Sequence, residues 1–233
     1  MIRAFYSGTT GMRTQQTAVD TIANNIANLN TTGYDAQTAR FGDLLHTSML
    51  EPADAAYASV RAGSGAGVSS VRTDASSGGE QETDRALDYC PAGNGFFAVE
   101  GADGVVRYTR NGAFSIDIAG GAHLTDAQGE SVLDAAGNPI AVDADGKPAA
   151  EPGVFTFPAA SQLEAQGDSR YMPTASSGAA QVSNEGVNTG RLASSNVELG
   201  DEMSRLILSQ RGYQLSSRVV QTADQIAELT NNL

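Results

Sequence analysis

The chain has 233 residues, 14 basic and 27 acidic, for a net charge of −13, and 40% of its residues are hydrophobic. That is enough for a buried core, but no stretch approaches the roughly 20 consecutive apolar residues of a membrane span, and residues 1–20 lack the apolar run of a cleaved secretory signal. So acidic a chain repels nucleic-acid phosphates, and one cysteine (Cys90) with two histidines (His46, His123) excludes an internal disulfide and thiolate metal clusters.

The first thirty residues read as a helix. Phe5, Met12, Val19 and Ile26 recur every seven residues, and Ile22 and Leu29 add a second line in the later half. In the earlier half that line holds Gly8 and Gln15, which weakens it there. Ala18, Ala23 and Ala27 are small enough for close helix approach. The run Asn24-Asn25-Ile26-Ala27-Asn28-Leu29-Asn30-Thr31-Thr32-Gly33-Tyr34 is expected to stop the helix, with Gly33 in the left-handed region. Residues 35–85 read as an extended linker. Gly63-Ser64-Gly65-Ala66-Gly67 and Ser76-Ser77-Gly78-Gly79 bring few side chains that pack.

From about residue 86 to 173 the hydrophobic period changes to two. Phe97, Val99 and Val105 are followed by Tyr108, Phe114, Ile116 and Ile118. Turn signals separate them at 101–104, 110–112, 120–121, 126–129, 136–138 and 145–146, which predicts a small antiparallel β-domain. Residues 174–196 read as a second linker. Residues 197–233 then read as a second long helix, with Ser194, Ser195 and Asn196 as capping side chains and Glu198, Asp201 and Glu202 near its positive end. It carries two apolar seams. One runs Leu199, Met203, Leu206, Gln210, Tyr213, Val220; the other runs Leu208, Leu215, Val219, Ile226, Leu229, Leu233. Two seams suit several neighbours at once, although burial in an ordinary globular core fits the same pattern. The expected fold class is α+β: terminal helices packed as a helical hairpin or coiled coil, a central β-domain, and extended linkers between. Residues 1–30 carry a net +1 and residues 197–233 a net −2, so the acidic surplus lies in the middle.

Chemical motifs are scarce. Gly93-Asn94-Gly95 and the glycines at 63–67 lack the Gly-Lys-[Ser/Thr] of a phosphate loop. Asp143-Ala-Asp145-Gly146 opens like a calcium loop but lacks its closing glutamate, so a hairpin turn explains it better. Asp84 and Asp88 are read as solvated, and Cys90 as a small buried residue. Asn30-Thr31-Thr32 matches the glycosylation triplet but is read as the helix-ending turn. No catalytic, cofactor-binding or metal-ligating set emerges. The competing functional classes are a secreted adhesin working through its β-domain and an enzyme built on Asp84, Asp88, Asp143 and Asp145.

Several separated segments together resemble the flagellar basal-body rod and hook proteins. Met1-Ile-Arg-Ala-Phe-Tyr-Ser-Gly-Thr-Thr-Gly-Met12 with Gln15-Gln16 looks like that family's opening. Ile22-Ala-Asn-Asn-Ile-Ala-Asn-Leu-Asn-Thr-Thr-Gly-Tyr34 is similar to its N-terminal signature, and Phe41-Gly-Asp-Leu-Leu45 to the segment that follows. Gly93-Asn-Gly-Phe-Phe-Ala-Val99, Tyr108-Thr-Arg-Asn-Gly-Ala-Phe114 and Leu124-Thr125 resemble its β-domain. Ser194-Ser-Asn-Val-Glu-Leu199, Glu202-Met203, Gln210-Arg211, Tyr213 and Val220-x-Thr222 resemble its C-terminal signature. Within the family the pattern is most like the distal-rod members, and proximal-rod members share the same motifs. The resemblance implies a non-enzymatic subunit of the rod, the axial drive shaft between the motor base and the hook. A hook-type protein is the alternative within the family. The resemblance also implies export by the flagellar type III apparatus without a cleaved signal, an extracytoplasmic place in the basal body, and no cofactor. The implied partners are copies of itself, other rod and hook subunits, the export apparatus and ring proteins of the envelope. The assembly interface is expected at Phe5, Met12, Val19, Ile22, Ile26, Leu29, Leu199, Met203, Leu206, Tyr213, Val220 and Ile226.

Overall fold

A computed structural model describes residues 2–44, 47–48, 61–118, 121–143, 146–183 and 185–232. Met1, Leu45, His46, Gly120, Asp145 and Leu233, named above, lie outside the described residues. The architecture is α+β, with a helix near each end of the chain and antiparallel strands between. The chain divides into two compact units.

The first unit joins α1 (Ile2–Ala27), a β-ribbon and α2 (Leu199–Asn231). The ribbon pairs β1 (Gln37–Asp43) with β4 (Ala66–Thr73), while two short strands, β2 (Thr47–Ser48) and β3 (Arg61–Ala62), pair antiparallel between them. Helix α1 tolerates its many threonines because their hydroxyls donate back to carbonyls one turn earlier: Thr14 to Thr10 at 2.7 Å, Thr17 to Arg13 at 3.1 Å and Thr21 to Thr17 at 2.9 Å. The helix runs through Asn24 and Asn25, past the point where the asparagines were expected to stop it. Asn25 does not compete with the helix locally, because its fully buried amide clasps the backbone of β1. Gln37 N donates to Asn25 Oδ1 at 2.9 Å, and Asn25 Nδ2 donates to Gln37 O at 2.7 Å. The turn comes after Ala27, with Gly33 at φ +65°. Leu29, expected on the helix seam, therefore lies beyond α1.

The second unit takes in Ala27–Ala36 and Thr73–Glu198, and its first strands are β5 (Glu80–Glu82) and β6 (Tyr89–Pro91). Its main sheet holds β7 (Phe96–Glu100), β8 (Val106–Thr109), β9 (Ser115–Asp117), β10 (His123–Thr125), β11 (Ser131–Val132), β12 (Val154–Thr156), β13 (Glu164–Gly167), β14 (Arg170–Met172) and β15 (Gln181–Val182). Strand β7 is central. One edge pairs with β8, and the other is shared by β11 and β12, at Val99↔Val132 and Phe97↔Val154. Alternation along β7 sends Phe97 and Val99 into one core with Phe114, Leu124 and Ile140, and Phe96 and Ala98 into another with Tyr108, Leu163 and Tyr171. Both faces of the strand are thus buried, whereas Ile118, the last of the period-two run, is exposed.

Three of the expected turns share one build. The Gly129, Gly137 and Gly146 amides donate to the carbonyls of Asp126, Asp134 and Asp143 at 3.1, 3.1 and 2.9 Å, each glycine at positive φ. The calcium-like opening at Asp143 is one of these turns, as its spacing implied. The stretch 174–196, expected as a linker, carries three paired strands. Strand β15 pairs with β12, β16 (Val187–Thr189) with β6, and β17 (Arg191–Ala193) with β5. Backbone pairing, not side-chain burial, organises it, so hydrophobic periodicity carried no sign of it.

Candidate assembly surface

In the first unit, α1 and α2 touch through small residues. A methyl group on Gly8 would lie 2.7 Å from Val220 Cγ2 and 3.3 Å from the Ser216 carbonyl, and one on Gly11 would lie 2.9 Å from Ser216 Oγ. One on Gly212 would lie 2.9 Å from the Gln15 side chain. Partners 8 with 220, 11 with 216 and 15 with 212 make the two helices antiparallel. Gly8 and Gln15, which weakened the seam in sequence, mark the line of closest approach, because a missing side chain lets the backbones near each other.

The ribbon covers another side of α1. Thr14 Oγ1 donates to Ala66 O at 3.0 Å, and Asn25 holds Gln37 as described. On α2 most of the buried or half-buried positions form one stripe, Glu202, Leu206, Ser209, Gly212, Ser216, Val220 and Ala223, with Ser217 beside it. Most are small, so the face against α1 is close-packed but not strongly apolar. The large apolar side chains flank it instead. Leu199, Met203 and Tyr213 are exposed on one side, and Leu208, Leu215, Val219, Ile226 and Leu229 are exposed on the other, with Leu208 at 69% and Leu215 at 62%.

The expected interface residues therefore separate into three kinds. Ile22 is buried inside the unit; Met12, Val19, Ile26, Leu29, Leu206 and Val220 are half-buried; Phe5, Leu199, Met203, Tyr213 and Ile226 are exposed. Val220 is brought to α1 at Gly8. Tyr6 and Ile207, exposed at 60% and 55%, extend the apolar surface and fell outside the seven-residue periodicity.

The second unit is held by a polar knot that sequence reasoning missed. Arg110 is buried and donates from Nη1 to Asp35 at 2.6 Å and to Ser76 O at 3.0 Å. Its Nη2 donates to Ala75 O and Asn94 O, its Nε to Gly95 O, and its guanidinium lies 4.4 Å from the centre of the Phe96 ring. Burial pushes the Asp35 carboxyl up to about 6, against the pull of the Arg110 guanidinium and the Tyr171 hydroxyl. Asn196, read as a helix cap, instead joins strand segments. It accepts from Ala36 N at 2.6 Å and donates to Asp74 O at 2.8 Å and Ser76 O at 3.0 Å. Gly33 N donates to Ala193 O at 2.8 Å in the same region. The only available signals were an arginine and two polar residues beside turns, with no periodicity to mark their burial.

Candidate chemistry is weak by comparison. Asp88, read as solvated, is buried and pairs with Arg85 at 3.3 Å, so it faces no cleft shared with exposed Asp84. Cys90 is buried, which raises its thiol to about 11 and holds it in the unreactive protonated form. Among the described residues no group of three or more His, Cys, Asp or Glu could hold a metal ion, and no helix is long and apolar enough to cross a membrane.

Known proteins resemble the chain along its length. Residues 5–34 match the family model described as flagella basal body rod protein. Residues 92–162 match the flagellar hook protein FlgE/F/G D1 domain, and residues 188–233 the flagellar basal body rod FlgEFG protein C-terminal. The flagellar basal-body rod protein FlgG of Bacillus subtilis is 33% identical over 100% of this chain and 99% of its own length. That of Agrobacterium fabrum is 34% identical over 99% of this chain and 98% of its own. The flagellar hook protein FlgE of Borreliella burgdorferi is 37% identical, but over 50% of this chain and 27% of its own length.

Proposed function

The chain belongs to the flagellar basal-body rod family, whose members are structural subunits of the flagellum and not enzymes, and from that premise we propose that it polymerises through α1 and α2 into the distal part of the rod. Coverage of the relatives favours rod over hook, since the chain spans almost the whole of the rod proteins and about a quarter of the hook protein.

In this reading α1, within residues 1–34, and α2, within residues 197–233, wind as a hairpin with coiled-coil character and line up around the rod axis. The β-domain is residues 86–173, and 35–85 and 174–196 are the connecting segments. Phe5, Met12, Val19, Ile22, Ile26 and Leu29 of one subunit pack near Leu199, Met203, Leu206, Tyr213, Val220 and Ile226, within the subunit and between neighbours. Contacts that are not self-complementary and do not close generate a helical tube. The partners are copies of this chain, other rod and hook subunits, the export apparatus that carries it out of the cytoplasm, and ring proteins of the envelope.

One observation carries the reading. The seam Leu208, Leu215, Val219, Ile226 and Leu229 stays exposed on a helix whose neighbouring face is already occupied. Covering the remaining surface of each such residue contributes roughly 1–2 kcal/mol, so a handful per contact suffices for a stable tube. Leu215→Asp tests it. The variant folds as the native chain by circular dichroism but is absent from isolated basal bodies and restores no motility to cells lacking the native subunit. A variant that assembles normally refutes the reading.

A further inference from the structure

Glu202 is a buried carboxylate with one oxygen left over. It lies in the first turn of α2 and is 3% exposed. Its Oε1 accepts from Arg205 Nη1 at 3.0 Å, whereas Oε2 is buried without a hydrogen-bond partner. Glu202 borders a recess of about 330 Å³ whose walls include Ala18, Ile22, Phe41 and Leu208. A buried carboxylate oxygen without a donor is unfavourable, and Phe41 and Leu208 on the rim are largely open to water. Arg205, which also lines the recess, serves Oε1 alone, so Oε2 lacks a donor and the rim lacks apolar cover.

The first turns of α1 have the complementary composition. Arg3 is exposed and makes no ion pair among the described residues, and Phe5 and Tyr6 beside it are exposed too. Arg13, the other cation of α1, is followed by Thr14, Gln15 and Gln16, which bring no apolar cover. Arg3 cannot reach the recess of its own chain. Gln15 and Ile22, which line it, stand 12 and 19 residues further along the same helix, about 18 to 28 Å away at the helical rise.

We infer that the recess receives the first turns of α1 from a second copy of this chain, with the guanidinium of Arg3 donating to Glu202 Oε2 and Phe5 covering Phe41 and Leu208. Arg3 lies at the start of α1, whereas Glu202, in the first turn of α2, lies towards the other end of the antiparallel helix pair, so each contact leaves a free head and a free recess. That is a head-to-tail contact of the kind that propagates. The inference rests on the rod reading and adds to it which surfaces meet.

The test uses the purified full-length chain. Ala4→Cys copies, Ala4 being exposed beside Arg3 in the first turn of α1, are mixed with Ser209→Cys copies, Ser209 lining the recess, and oxidised mildly; Cys90 is buried and the native chain supplies the background. A mixed disulfide dimer forms several-fold above that from Ala4→Cys with Gln181→Cys, an exposed position in the second unit. In otherwise native chains, Arg3→Glu and the isosteric Glu202→Gln each raise the concentration needed for sedimentable polymer on the order of tenfold, as expected for losing a close charge pair at an interface. Circular dichroism stays unchanged in Arg3→Glu, whose altered side chain is exposed. Polymer from Arg3→Glu at the native concentration, or no dimer specific to Ser209→Cys, overturns the docking and leaves the rod reading standing. A native chain that never associates overturns both.

Discussion

Arg110→Met keeps much of the apolar volume of the side chain and removes its charge. The native guanidinium reaches Asp35, Ala75, Ser76, Asn94 and Gly95, three separate stretches of chain outside its own strand. Both members of the ion pair are almost wholly buried, at 3% and 2% side-chain exposure. Removing one partner therefore leaves a carboxylate without compensation, together with carbonyls that lose their donors, for a loss of about 3–5 kcal/mol. With a urea dependence of about 2 kcal/mol per molar, the unfolding midpoint of the second unit falls by about 2 M. Fluorescence or circular dichroism of the full chain against urea measures it. Asp35→Asn in the same background relieves the stranded charge, so the double variant is more stable than the two single losses predict, by about 1–3 kcal/mol. A loss below about 1 kcal/mol for Arg110→Met, or strict additivity with Asp35→Asn, refutes the knot as the element that holds these segments.

The same carboxyl makes stability depend on pH. Its folded value of about 6 lies above the usual carboxylate value of 3.8, so the folded state holds the proton more tightly, and the contribution is present below about pH 4 and lost as pH rises through 6. Its size is up to about 3 kcal/mol, read as the native-minus-Asp35→Asn difference in urea midpoints across that window; a difference that grows with rising pH contradicts it. Gly33→Ala places a side chain at φ +65° and 2.4 Å from the Asn111 amide nitrogen, which lowers stability by about 2–4 kcal/mol in the same urea assay. Asn25→Ala removes both hydrogen bonds to Gln37 and costs about 2 kcal/mol; amide exchange at Gln37 accelerates while the second unit keeps its protection.

Local pattern determined the elements. The seven-residue recurrence of Phe5, Met12, Val19 and Ile26 and the two seams of α2 marked the helices, and glycine-containing turn runs such as 126–129 and 136–138 marked the turns, because both signals depend only on neighbours along the chain. The family was legible for the same reason, in short runs such as residues 22–34. What the tertiary structure decided was which side of each helix is satisfied. Gly8, Gly11, Gly212 and Ser216 are unremarkable in sequence, yet they form the helix contact and leave the leucines of α2 outside, since close backbone approach depends on the residue met across the gap. Burial of Asp35, Arg110 and Asn25 was likewise invisible. A buried polar side chain is tolerated only when distant carbonyls and amides come to meet it, and no local spacing records where those partners arrive.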